Sequence, residues 1–210
     1  MKRLHFFLAM LLTVPFFMLG QTVTEIDEIA PFSEGLSAVR KGNQWGFIDK
    51  KGALVIDFRD DLHWTKDAKD DKLNVLGVRY PMFRDGRCMI KKMEDGIPLF
   101  GFIDTKGNIV VAAEYLNIYP FENGKTTGVL FDKTLKGENE FKLKIYEFKF
   151  HDVLLDSSGE ILEFYSKRDN IQMTKKRYKT PFIGAKIISK DLIAVWVENK
   201  GWEIRRFKAE

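Results

Sequence analysis

The chain has 210 residues, of which 45% are hydrophobic and 30% charged, with a formal charge of +4 and a single cysteine. That length suits one domain with its own core, and one thiol excludes an intramolecular disulfide. The charge excess is small, and outside the N-terminus there is no block of about five or six like charges, so nucleic acid has little footing as a partner.

In chain order the first element is a leader. Lys2 and Arg3 precede the apolar run Leu4–Leu19, which Pro15 interrupts, and Gly20 stands at a cleavage edge before polar Gln21. This is the layout of a secretory signal peptide over residues 1–20, read as a signal-peptide helix, and the run is short for a membrane span of about 20 residues. Without Lys2 and Arg3 the formal charge drops from +4 to +2. The mature chain, residues 21–210, is therefore expected to be exported, whether periplasmic, outer-surface or extracellular, with no membrane span.

Next comes a unit that the chain writes more than once. Ile29-Ala-Pro-Phe-Ser-Glu-Gly35 leads into a strand at Leu36–Arg40, then Trp45-Gly46-Phe47-Ile48-Asp49, the turn Asp49-Lys-Lys-Gly52 and a strand at Leu54–Ile56. Alternation places Trp45, Phe47 and Asp49 on one face and Ile48 on the other. Gly46 leaves room for a ring or a backbone to approach closely. Asp49 caps a type I turn and Gly52 takes the left-handed position that makes a bulged hairpin. The second writing is Tyr80-Pro-Met-Phe-Arg-Asp-Gly86, then a strand at Arg87–Lys91, then Phe100-Gly101-Phe102-Ile103-Asp104 with its turn closing at Gly107. A third begins at Ile118-Tyr-Pro-Phe-Glu-Asn-Gly124 and ends in Asp152-Val-Leu-Leu-Asp156-Ser-Ser-Gly159, where Asp152 and Val153 replace the aromatic-glycine pair. Leu192–Trp202 is a worn fourth copy. The turn glycines Gly52, Gly107 and Gly159 lie 55 and 52 residues apart, a period that marks a repeat architecture. Units are expected at about 29–58, 80–115, 118–164 and 178–207, forming an all-β fold of consecutive hairpins in one curved or elongated open sheet.

The phrase Gln44-Trp-Gly-Phe-Ile-Asp-Lys-Lys-Gly52, preceded by Phe32-Ser-Glu-Gly-Leu-Ser-Ala-Val39, resembles the bacterial WG-containing (KWG) repeat family. Phe32–Ile56 carries the pattern almost complete. Phe83–Val111 keeps it with Phe100 in place of Trp and a longer loop, Lys92–Leu99. The resemblance implies an all-β array of hairpins and brings no catalytic residue or cofactor with it.

Two insertions depart from the unit. Arg59–Lys72 is polar and reads as a solvated loop or short exposed helix. It gathers Asp60, Asp61, His63, Asp67, Asp70 and Asp71 around Trp64, but without the spacing of a calcium loop and with basic residues between the acids. Asp132–Phe150 contains Phe141-Lys-Leu-Lys-Ile145, whose alternation reads as a half-buried strand with lysines blunting its outer face, and a bulge is placed at Tyr146-Glu147. Cys88 occupies the place of Ser37 and reads as a small packed strand residue. No serine-hydrolase elbow, zinc helix, phosphate loop or dinucleotide fingerprint is present in the sequence. Trp196 and Trp202 fall where a terminal repeat would bury them, which leaves Trp64 as the candidate ligand contact. The expected function is a non-catalytic interaction module whose partner is another protein of the envelope or exterior. A glycan- or cell-wall-binding module is the alternative, and a hydrolase using carboxylates of the insertions the third reading.

Overall fold

The structure, a computed structural model, describes residues 23–168 and 171–207. The signal-peptide helix expected at Met1–Gly20 falls outside the described residues. Strands β1 (Glu28–Ile29), β2 (Leu36–Lys41), β3 (Gln44–Asp49) and β4 (Leu54–Arg59) form one antiparallel sheet in chain order. A second sheet runs in chain order through β5 (Cys88–Glu94), β6 (Ile97–Ile103), β7 (Ile109–Ile118), β8 (Lys125–Glu138), β9 (Lys144–Asp156) and β10 (Ile161–Arg168). The third comprises β11 (Ala185–Ser189), β12 (Leu192–Val197) and β13 (Gly201–Arg206). The fold is thus all-β and antiparallel. A 3-10 turn at Val75–Gly77, capped by the Asn74 side chain on the Leu76 amide, is the single helical element among the described residues.

One expectation needs correction: the strands make three sheets instead of one elongated sheet. Connection length explains where they divide. A tight turn joins β7 to β8, so these strands pair and fuse two strand triplets into six. The segments after Arg59 and after Arg168 are too long to bring successive strands into one ladder by a hairpin.

Within a triplet, the glycine after the aromatic residue answers to the neighbouring strand. Trp45 pairs with Arg59 while Phe47 pairs with Ile56, so β4 bulges opposite Gly46. A Cβ on Gly46 would lie 2.9 Å from the Ile56 carbonyl oxygen. The same bulge recurs in β7, where Phe100 pairs with Tyr115 and Phe102 with Val111, and the Val111 carbonyl crowds Gly101. The space beside the glycine is taken by backbone.

Two kinds of turn carry the repeat. In the first, Asp49 Oδ1 accepts the Lys51 and Ala53 amides at 2.8 and 3.0 Å, and Gly52 has φ +81°. Asp104 and Asp156 cap their turns in the same way, ending at Gly107 and Gly159. The second kind closes the Pro-Phe clusters. Glu34-Gly35, Asp85-Gly86 and Asn123-Gly124 have both φ values positive and join bridged residues on either side, as in a two-residue type I′ hairpin.

Neighbouring units are held through these turns. The Glu34 carboxylate accepts the Asp85 and Gly86 amides at 2.6 and 2.8 Å, and the Asp85 carboxylate accepts the Gly124 amide. The bulged turns dock on the unit before them: Arg59 donates to the Gly107 carbonyl at 2.7 Å, and Arg87 to the Ser157 carbonyl. Aromatic rings follow the same rule. Phe47 meets Phe83 at 4.7 Å and Phe102 meets Phe121 at 4.9 Å, each ring of one unit against the Pro-Phe ring of the next. Burying such a ring contributes about 1.5–3 kcal/mol, and each aromatic pair about 0.5–1.5 kcal/mol more. Phe32 holds the matching place in the first unit, has no described unit before it, and is half exposed.

The last strand triplet is attached differently. Asp152, fully buried, takes the place that Trp45 and Phe100 hold in earlier units. Its carboxylate receives Arg168 through two nitrogens at 2.9 Å, the Ser166 hydroxyl and the Gly184 amide. Thr127 and Asn117 also donate to the Ala185 and Pro181 carbonyls. Leu154 then packs with Ala185, Ile193 and Val195.

Candidate interaction surface

Strands β8 and β9 run on past their neighbours. β7 follows β8 only to Leu130, and β10 follows β9 only to Phe150. Beyond those points residues 132–138 and 144–149 pair, among the described residues, with each other, as a two-stranded arm. The half-buried strand expected at Phe141–Ile145 is therefore corrected. Phe141 and Leu143 belong to the tip of the arm, Ile145 to its first rungs, and no described element covers them. Phe141 is 82% exposed, and Leu135, Leu143, Ile145 and Phe148 are exposed as well. The bulge expected at Tyr146-Glu147 is also corrected: both residues pair regularly, and the extra residue is Lys136 on β8, opposite Ile145 and Tyr146.

The tip is a built turn. Asn139 Oδ1 accepts the Phe141 and Leu143 amides, both at 2.9 Å, and Lys142 has φ +58°. Asn139-Glu-Phe-Lys142 thus repeats the capped-turn geometry of Asp49–Gly52, with lysine where glycine would sit at ease. A non-glycine residue there costs about 1 kcal/mol or more. Lower down, Lys133 pairs with Asp95 and Lys136 and Lys149 with Glu147. Lys142 and Lys144 have no acidic partner among the described residues. The tip therefore offers apolar side chains among mixed charges, with Glu138 paired across the strands from Lys144 and Glu140 in the turn beside Lys142.

The other candidates fall elsewhere. Trp64 is half-buried beside Trp45, with ring centroids 5.7 Å apart and the Arg40 guanidinium over it, so its face is already engaged. The insertion that carries it is an ordered loop, exposed at Lys66, Asp67 and 69–72 but anchored at 62–65, where the expectation of a solvated segment is corrected. Leu62 bridges Ile90, the His63 amide donates to the Met89 carbonyl, and the Thr65 amide to the Val78 carbonyl. Burying Leu62 and His63 supplies the reason. Burial also pulls His63 down to about 4, with the Val75 carbonyl at 2.7 Å opposing the shift, and Phe100 lies edge-on at 4.8 Å. Of the acids around Trp64, Asp61 is committed to Arg59. Among the described residues no three His, Cys, Asp or Glu side chains are placed to hold a metal ion. Cys88 is fully buried and its thiol is pushed up to about 12 by that burial.

Trp196 and Trp202 are also corrected: both are substantially exposed, edge-to-face at 5.6 Å, with Phe182 against Trp196. No further unit follows β13 among the described residues to cover them. Two features escaped sequence reading. One is Asp152 with Arg168, since a lone aspartate at a worn position gives no hint of its partner. The other is the arm's exposure, since alternation alone does not reveal whether a cover exists. The docking segment did leave a trace, because Pro181-Phe-Ile-Gly184 is a shortened Pro-Phe cluster.

Among the described residues no helix is long and apolar enough to cross a membrane. Comparison with curated proteins and with solved structures found no match. The family model described as WG containing repeat matches residues 24–45, 45–59 and 100–128. These segments hold β1 to β4, most of β6, β7 and the start of β8. Across these segments the chain carries WG-containing repeats.

Proposed function

We propose that the chain is an exported, non-catalytic repeat module that binds another protein of the envelope or exterior through the β8–β9 arm, on an open array of hairpins. The observation that carries this reading is the tip: a capped, strained turn that holds Phe141 in solvent next to Lys142. Exposed apolar clusters of this kind mark interaction sites, and the mixed charges around this one suit a partner whose apolar groove has a polar rim. The export leader and the lack of a catalytic signature in the sequence support the same class.

A photo-crosslinking residue at Phe141, with a control at exposed Val55, tests it in the mature chain. One protein should be captured from position 141 and not from 55. Once purified, it should bind saturably and lose binding on Phe141→Asp. Equal capture at both positions, or purified binding indifferent to Phe141→Asp, would sink the proposal.

The alternative reading, glycan binding, is favoured by one observation, the exposed Trp196–Trp202 pair. Saturable retention by a polysaccharide that is lost on Trp202→Ala, with no protein captured by the arm, would install it instead.

A further inference from the structure

Two cavities of about 180 and 230 Å³ adjoin where the anchored insertion, the six-stranded sheet and β11 meet. They share Leu73, Arg84 and Pro120, so they form one groove. Its walls are strongly one-signed: Lys72, Arg79, Arg84, Arg87 and Lys186 face a single acid, Glu122. Lys72 and Arg79 are engaged by Asp71 and Glu28, and Arg87 by the Ser157 carbonyl. Arg84, which lies on the wall common to both cavities, has no acidic partner among the described residues, and neither has Lys186. The accessible lining is apolar, with Leu73, Met82, Pro120 and Ile187, over the buried Met89 and Phe102. His63, in the wall of the first cavity, keeps a buried Nδ1 without a hydrogen-bond partner.

We infer that this groove binds a small amphipathic carboxylate, its apolar portion along Leu73, Pro120 and Ile187 and its anionic head against Arg84. The volumes agree, since an apolar cavity of about 150 Å³ accepts a benzene ring. Local field agrees as well, because an arginine without a partner beside an apolar wall is suited to bidentate recognition of a carboxylate. The assignment is independent of the arm. Its residues lie on the insertion and the segment after it, the Pro-Phe turns, β5, β6, β11 and the first residues of β8, and none falls within residues 132–149 of the arm.

Titration calorimetry of the mature chain with octanoate, octanol and octylammonium tests it. Octanoate should bind saturably, octanol at least about tenfold more weakly, as for loss of one charge-assisted hydrogen bond, and octylammonium not at all. Arg84→Ala and Leu73→Glu, both at exposed positions, should each weaken octanoate by about tenfold or more without moving the unfolding midpoint. Arg177→Ala, also exposed, serves as the control and should leave binding intact. Absence of saturation, equal binding of octanol and octanoate, or octanoate binding unmoved by both groove variants would each overturn the assignment. A glutamate-rich peptide that binds and displaces octanoate would also overturn it, in favour of an acidic protein segment as the occupant.

Discussion

Phe102 and Phe141 present the same ring to opposite fates. Phe102 is 1% exposed, wedged against Phe121 of the next unit, and Phe141 is 82% exposed at the end of the arm. Phe102 stands near the end of an apolar run, two residues before its capped turn, and Phe141 opens an alternating run from inside one. The difference lies in what comes next along the array. Each stacked unit meets a following Pro-Phe cluster that covers its ring, whereas the arm extends past the edge of both neighbours. Alternation selects a face, and only another unit makes that face a core.

The sharpest way to break the comparison is to truncate both rings. Phe102→Ala should destabilise by about 3–5 kcal/mol through lost transfer energy and the cavity left behind. Phe141→Ala should stay within about 0.5 kcal/mol, as for an ordinary surface change. Urea unfolding midpoints measure both, and similar losses would mean that the arm is covered after all.

Next in size is the attachment of the last unit. Arg168→Met leaves the buried Asp152 carboxylate without its cation, a change that costs about 3–5 kcal/mol. The loss should be partly local, so limited proteolysis should cut first in the segment joining β10 to β11. Cleavage no faster than in the wild type would show that Thr127 and Asn117 suffice to hold the segment.

Acidification tests the stack alone, because His63 sits inside it against Phe100. Its folded value near 4 lies below the ordinary value of 6.5, so the folded state disfavours the proton. The stabilisation is complete above pH 6.5, is lost as pH falls toward 4, and is flat below, amounting to about 3 kcal/mol. His63→Phe should remove that segment of the pH dependence, with midpoints followed by fluorescence. A slope unchanged in the variant would assign the acid response to other groups.

Turn glycines sharpen the contrast between a free turn and a docked one. Gly52→Ala meets only the backbone penalty of positive φ, about 1 kcal/mol, because nothing lies within 4 Å of the added methyl. Gly159→Ala should cost more, since its methyl would stand 2.9 Å from the Val110 carbonyl of the preceding unit. Lys51→Ala should change almost nothing. Equal midpoints for the two glycine variants would argue against docking of the turn.

The smallest effect carries the opposite sign. Lys142→Gly should stabilise by about 0.5–1 kcal/mol, because glycine adopts the tip's left-handed conformation without strain. The same variant should weaken capture at the arm if Lys142 contributes to the partner. A stability gain with capture unaltered would confine the partner's contact to the apolar side chains.

Much of the repeat is written locally and could be read from residues alone. Asp at the first turn position and Gly at the fourth specify a bulged hairpin wherever they stand, because the carboxylate and the left-handed φ act within four residues. Aromatic-Gly-Phe specifies a strand with one crowded gap, and Glu-Gly, Asp-Gly and Asn-Gly mark two-residue turns. What the residues do not announce is who meets whom across fifty positions. Glu34 reaching the Asp85 turn, Asp152 gripping Arg168 and Gly184, and Trp64 lying under Arg40 are products of stacking. The division into three sheets is likewise decided by which connections are short enough for successive strands to pair. The arm and the basic groove belong to the same category. Hydrogen-bond geometry and alternation are local properties of a chain, but exposure, cavity shape and the sum of charges around a point exist only once distant segments have met.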